Sequence, residues 1–338
     1  MTASPAPIRE IAVPDGAHFR RHVVGSYAPV VIRGLVRDWP VVAAGMDSVE
    51  AAAAHLLRFD RGAAAEAFIG PPGIGGRFFY SPDMTGFNFE RRRGSFAELL
   101  RYLQGIVGKE SAPSVYAGAL ETAAMLPGFA EANPLPLLEG LDAPPRVWLG
   151  NRSTISTHFD ASDNVACVAA GRRRFTLFPP DHIHNLYVGP LDRTVAGQPT
   201  SMVELNDPDF ERFPRFREAL AAAQSAELEP GDAIYIPALW WHQVDALAPF
   251  NLLVNYWWND SPDASARFDA MVHAVLMISH LPPERRDAWA AMFDTFVFRR
   301  HGDPAAHLTP EHRNVLGEPT PQLRQYIKAY LTRGLQRP

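Results

Sequence analysis

The stretch THFDASDNVACVAAGRRRFTLFPP, residues 157–180, decides how the rest of the chain is read. Asn164 to Ala170 is an apolar run, Gly171 interrupts it, and a second run continues to Phe178 before Pro179 and Pro180. This pattern predicts two consecutive strands. On the second, alternation puts Arg173, Phe175 and Leu177 on one face and Arg174 and Thr176 on the other. The first face carries the apolar residues, so it turns inward and takes Arg173 with it. A guanidinium in an apolar interior is costly unless an anion meets it. Either Arg173 pairs with an internal Asp or Glu, or reaches the rim, or it grips the distal carboxylate of a dicarboxylate ligand.

Upstream, His158 and Asp160 are two residues apart, and on a strand both side chains leave the same face. Downstream, PGDAIYIPALWWHQV (230–244) gives a tight turn, a short apolar strand and then His242. Two imidazoles and one carboxylate on a rigid sheet can hold Fe(II) from one side and leave the other side open. The dipeptide spacing alone proves little. With 12 His and 37 acidic residues in 338, about one His-x-acid match arises by chance. The chain supplies one in His301-Gly302-Asp303, which Gly302 and Pro304 mark as a surface turn. Further on, Asn251, Leu253, Asn255 and Trp257 share a strand face, and two Asn on a core-facing strand call for something polar opposite them.

Taken together, HFD, Asn164, GRRRFTLFPP, PGDAIYIPALWWHQV and VNYWW resemble the JmjC/cupin-like Fe(II)- and 2-oxoglutarate-dependent hydroxylases, with the group of the factor-inhibiting-HIF asparaginyl hydroxylase as nearest kin. The match is dense from about 147 to 258 and thinner before it. The resemblance implies a mainly β fold with helices: a double-stranded β-helix (jelly-roll or cupin) barrel flanked by N-terminal α/β elements and a C-terminal helical bundle. It implies Fe(II), 2-oxoglutarate and O2 as cofactors, with His158, Asp160 and His242 as catalytic iron ligands. Arg173 is the partner of the 2-oxoglutarate carboxylate, where the family usually has Lys. Tyr116, in SVYAGAL, is expected to donate to the same carboxylate, and Asn164, Asn255 and Trp257 to line the pocket. Ile155 stands where the asparaginyl hydroxylase carries a hydroxyl, so the adjacent Thr154 is taken as a co-substrate contact. The implied reaction is hydroxylation of a C–H bond, with a protein or peptide substrate favoured. A small-molecule hydroxylase, or a cupin that binds metal or ligand without turnover, is the alternative.

The rest of the chain is consistent with a soluble globular protein: 47% hydrophobic, 20% charged, net charge −5. That balance gives no global attraction for nucleic acid, and Arg91-Arg92-Arg93 reads as a solvated run. The single cysteine, Cys167, excludes an intramolecular disulfide. No apolar signal core opens the chain and no run nears the roughly 18 apolar residues of a span, so no membrane partner and a cytoplasmic location are expected. The organisation expected is a catalytic domain over 1–260, with its core at 145–260 and supporting strands and helices at 1–144. A helical region at 261–338 follows. Strands are expected at PVVIRGL (29–35), AEAFIG (65–70), RFFY (77–80) and SVYAGA (114–119). Ser95-x-x-Glu98 forms a capping box before a helix, and others are expected near Phe213–Ala223, Ala264–Ser279, Pro283–Val297 and Pro321–Arg333. Met271, Val275, Leu276, Met277, Trp289, Met292, Phe293 and Phe296 on the last helices suggest a homodimer interface, as in the related hydroxylase.

Overall fold

In the computed structural model, which describes residues 5–261, 263 and 266–336, the strands predicted around 164–178 and 233–258 all form. Together with strands outside those ranges they make up a set of eight: β1 (Pro145–Gly150), β2 (Ser153–Phe159), β3 (Asp163–Ala170), β4 (Arg173–Phe178), β5 (Gln224–Leu228), β6 (Ala233–Ile236), β7 (Trp241–Ala246) and β8 (Asn251–Trp258). The chain passes back and forth between two sheets. β6, β3, β8 and β1 lie side by side within a nine-stranded sheet, and β5, β4, β7 and β2 within a six-stranded one. Their pairings are antiparallel throughout. This is a jelly-roll of the cupin type, mainly β with helices, and it bears out the fold expected from the motifs.

Alternation sorts the side chains of the nine-stranded sheet cleanly. Its outward face carries Val165, Cys167, Leu252, Val254 and Tyr256, packed with helix residues such as Val41, Leu56, Phe96 and Leu100. Its inward face sends Val168, Ile234, Ile236 and Leu253 against Phe175, Leu177 and Leu228 of the opposite sheet. Each such fully buried side chain contributes about 1.5–3 kcal/mol relative to exposure. One covering helix, Pro40–Asp47, approaches β3 so closely that a Cβ on Gly45 would lie 2.3 Å from the Ala169 carbonyl oxygen. Gly171, at φ +74°, makes the turn between β3 and β4.

The N-terminal strands Ser114–Glu121, Ala64–Gly70 and Glu90–Ser95 extend the nine-stranded sheet beyond β1. The last contains Arg91, Arg92 and Arg93. Strand propensity gives no hint of it, but as an edge strand it tolerates, and is protected by, exposed charge. Arg91 pairs with Glu66 at 3.3 Å and Arg92 with Glu90 at 3.0 Å. Helix Phe96–Ile106 opens on the expected capping box, with both Ser95–Glu98 bonds made. RFFY is shorter than expected, a strand only at Arg77–Phe78. The helix expected from Phe213 begins at Phe216 instead. Pro214 holds Phe213 out of the helical region, so the first turn starts after it.

The chain divides into two compact units, Met1–Ala264 and Ser265–Pro338. The second contains helices Ala266–Ile278, Pro283–Phe296 and Pro321–Leu335. Within it Leu276, Met277, Trp289, Met292 and Phe296 are exposed. Among the described residues, no helix is long and apolar enough to cross a membrane.

Candidate metal centre and ligand cavity

His158 on β2 and His242 on β7 are direct cross-strand partners, so the sheet itself brings the two rings to 4.4 Å between centroids. Each ring is then oriented by its own backbone. Nδ1 of His158 lies 2.9 Å from the Ser156 carbonyl oxygen, and Nδ1 of His242 lies 3.0 Å from that of Trp240. A carbonyl only accepts, so each Nδ1 carries the proton and donates it, which leaves each Nε2 lone pair free for a metal. Asp160 lies just beyond the end of β2, and its Oδ2 is 3.7 Å from His242 Nε2. Ligand atoms of all three residues fall within 4.8 Å of one another, and among the described residues no other group of three His, Cys, Asp or Glu is so placed. His301 is exposed and outside it. Burial, with His158 adding to it, pushes the His242 pKa down to about 4, so the ring is neutral and able to ligate at neutral pH.

These residues open onto a cavity of about 680 Å³ between the sheets. Arg173 lines it from β4, and Tyr116 from strand Ser114–Glu121. Arg173 is 4% exposed. Among the described residues no carboxylate forms an ion pair with it, and its Nε has no hydrogen-bond partner. Of the outcomes open from sequence, the internal pair and the escape to the rim are therefore not realised. Burial holds the Arg173 pKa down at about 10, with Tyr116 opposing, so the group stays charged at neutral pH. Burial likewise raises the Tyr116 phenol above its ordinary value, Arg173 offsetting part of that, and it remains a protonated donor.

Asn164, Asn255 and Trp257 also line the cavity. The Asn255 amide donates to Asn164 Oδ1 at 3.1 Å and accepts from the Trp148 indole, while Trp257 Nε1 donates to Asp160 Oδ2 at 3.1 Å. Inside an apolar sandwich the Asn255 amide is thus engaged at both ends, and Asn164 through its oxygen.

Thr154 is placed differently from the expectation. Its hydroxyl donates to Asp245 Oδ1 at 2.8 Å, and it is not in the cavity wall, whereas Ile155 is. The cause is a bulge. His158 pairs with His242, but Ile155, not Ser156, pairs with Val244, so β2 holds one extra residue between them. The extra residue inverts the alternation upstream of it. Thr154 consequently faces away, and Ile155 shares the inward face with His158.

Features the sequence did not single out stand at the cavity mouth. Glu66 and Arg91 line it from neighbouring strands, and Val195, Ala196, Gly197 and Gln198 line it from a loop. Arg91 donates to the Val195 carbonyl at 3.1 Å and the Tyr80 hydroxyl to that of Arg193 at 2.6 Å, which ties the loop down. Only the Arg91 run offered a signal, and it read as solvated charge rather than as part of a site.

Comparison with known proteins places residues 16–264 in a family described as the cupin-like domain. Lysine-specific demethylase JMJ31 of Arabidopsis thaliana is 34% identical over 115 residues, covering 34% of this chain and 20% of that protein. The tRNA wybutosine-synthesizing protein 5 of Gallus gallus is 30% identical over 150 residues, covering 40% of this chain and 44% of that protein. Lysine-specific demethylase 8 of Xenopus tropicalis is 33% identical over 113 residues, covering 33% and 24%. The chain thus spans less than half the length of the curated relatives it matches.

Proposed function

The chain belongs to the cupin-like domain family, and on that premise we propose that it is an Fe(II)- and 2-oxoglutarate-dependent oxygenase that hydroxylates a C–H bond. The observation that carries this reading is Arg173: a buried, charged guanidinium without a carboxylate partner among the described residues, facing the cavity that contains the His158, Asp160 and His242 cluster. Such a charge needs an anion, and a dicarboxylate that meets a metal at the cluster through one end can offer Arg173 the other.

In this reading His158, Asp160 and His242 hold the iron through two neutral imidazoles and one carboxylate. Arg173 would hold the far carboxylate of 2-oxoglutarate, and Tyr116 would donate to the same group. Asn164 and Asn255, fixed to each other, present amides to the co-substrate. The apolar walls, Ile155, Phe175 and Val244 among them, exclude water from the reacting groups. When bound, iron, 2-oxoglutarate and O2 supply the oxidising power for oxygen insertion. The protein's own contribution is positioning.

For the substrate we favour a protein side chain. The likeness of the motifs to the factor-inhibiting-HIF group supports this, as do relatives named lysine-specific demethylases. One relative is named for tRNA wybutosine synthesis, but the net charge of −5 does not favour a nucleic acid. Ile155 in the wall, in place of a hydroxyl, gives the alternative of a small-molecule enzyme or a non-catalytic ligand-binding cupin its footing. We also favour a homodimer through the exposed apolar faces of the last helices, and a reducing, cytoplasmic setting suited to ferrous iron.

Anaerobic titration of the Fe(II)-loaded protein with 2-oxoglutarate tests the reading. A saturable visible charge-transfer band supports it; iron binding without such a band removes the co-substrate and leaves a non-catalytic cupin or a cupin-type metal enzyme that uses no 2-oxoglutarate. His158→Ala should lose both iron retention and succinate formation.

A further inference from the structure

We propose that Trp257 is the positioning residue of the metal-binding carboxylate, holding Asp160 in place for the ion through its indole N–H. This rests on the metal-site reading above and adds a role for a residue that would otherwise be only a wall of the pocket.

The three candidate ligands are not held equally well. His158 and His242 sit within strands, are cross-strand partners, and have their rings fixed by backbone carbonyls. Asp160 has none of this. It lies outside β2, and its backbone is tied by its carbonyl, which accepts from Leu239 N at 2.7 Å. That bond fixes the main chain but not the rotation of the carboxylate. The side-chain bond that does so is the one from Trp257 Nε1, at 3.1 Å to Oδ2.

An indole N–H can only donate, so it fixes which way the accepting carboxylate oxygen points. Trp257 is itself immobile enough for the task. Its backbone lies in β8, paired with Asn164 of β3. Its ring meets Trp148 edge-on at 90° and 5.5 Å, and the Arg146 guanidinium lies 5.2 Å from its centroid. A ring clamped on two sides presents its N–H in one direction, and Asp160 is in that direction. Outer partners that orient a ligand typically account for about 10–100-fold in metal affinity.

The test is Co(II) titration of the full-length protein under argon, reading both the dissociation constant and the visible ligand-field bands. Wild type, Trp257→Phe, Asp160→Ala and the double variant Asp160→Ala/Trp257→Phe are compared. Trp257→Phe, which keeps the ring and loses the donor, should bind Co(II) about tenfold or more weakly, with altered bands. In the Asp160→Ala background the same change should have no further effect, because Trp257 acts through Asp160. Equal affinity and spectrum for wild type and Trp257→Phe overturns the proposal while leaving the metal site intact. So does a loss that persists undiminished without Asp160. Failure of the wild type to bind Co(II) overturns the metal site and the proposal together. Should Trp257→Phe not fold, Trp257→Gln, which retains a side-chain N–H donor, is measured against Trp257→Leu with and without Asp160→Ala. Tighter binding by the Gln variant only where Asp160 is present supports the proposal, and equal binding refutes it.

Discussion

Replacing Arg173 by Met should make the ligand-free protein more stable and the 2-oxoglutarate complex far weaker. The folded state holds this guanidinium at a pKa of about 10, through burial, which is roughly a few hundredfold lower in proton affinity than a free arginine. At about 1.4 kcal/mol per tenfold in proton affinity, keeping it charged costs the folded protein about 3 kcal/mol. The folded pKa lies below the unfolded one, so this cost is fully present below pH 10 and fades only above it. Met is of similar length, unbranched and apolar, and fills the space without the charge. Substituting a buried uncompensated charge in this way stabilises by about 1–3 kcal/mol, or several degrees at roughly 2–4 °C per kcal/mol. In the complex the sign reverses, because the ligand carboxylate loses its partner at about 2–5 kcal/mol. That is at least about a 30-fold weaker dissociation constant. Thermal unfolding without metal or ligand measures the first effect, and the anaerobic charge-transfer titration the second. An Arg173→Met protein that melts earlier than wild type would show that Arg173 supports the fold through a partner of its own. An unchanged 2-oxoglutarate affinity would remove it from the site.

Burial and His158 depress the His242 pKa, so the unfolded chain binds more protons there. Metal-free stability should therefore fall as pH drops below about 6.5. Denaturant titration at pH 7 and pH 5 measures this, and an identical fall in His242→Asn would assign it to other groups. Ser95→Ala should cost about 1 kcal/mol in the same assay by removing the N-cap of helix Phe96–Ile106; no change would mean that the cap is compensated. Gly45→Ala should destabilise clearly, because its Cβ meets a backbone oxygen and Ala170 Cβ at 2.3 and 2.7 Å. A wild-type midpoint would mean that the helix can retreat from β3. For the dimer, sedimentation equilibrium should give twice the chain mass, and Trp289→Glu should return the monomer; a concentration-independent monomer in the wild type ends that idea.

Much of the site was legible because strand chemistry is local. A period of two told which of Arg173, Phe175 and Leu177 go inward, and which of Leu253, Asn255 and Trp257 face the cavity. His158 and His242 stood out because turn residues and apolar runs framed them. Tyr116 came from the family likeness, since nothing local in SVYAGAL indicates that it shares a cavity with Arg173.

The sequence by itself determined the core strands and the capped helix at Ser95, encoded in short-range pattern and turn chemistry, and through its likeness to a known family it pointed to the jelly-roll and to the three candidate ligands. Only the tertiary structure decided that Ile155 and not Thr154 enters the cavity, since one extra residue in β2 shifts the register and no periodicity reveals where a strand will bulge. It alone decided, too, that Arg173 has no carboxylate partner among the described residues and that Trp257 reaches Asp160. Pairing across 97 positions of chain depends on how two sheets close on each other, and that is a property of the packed whole rather than of any segment within it.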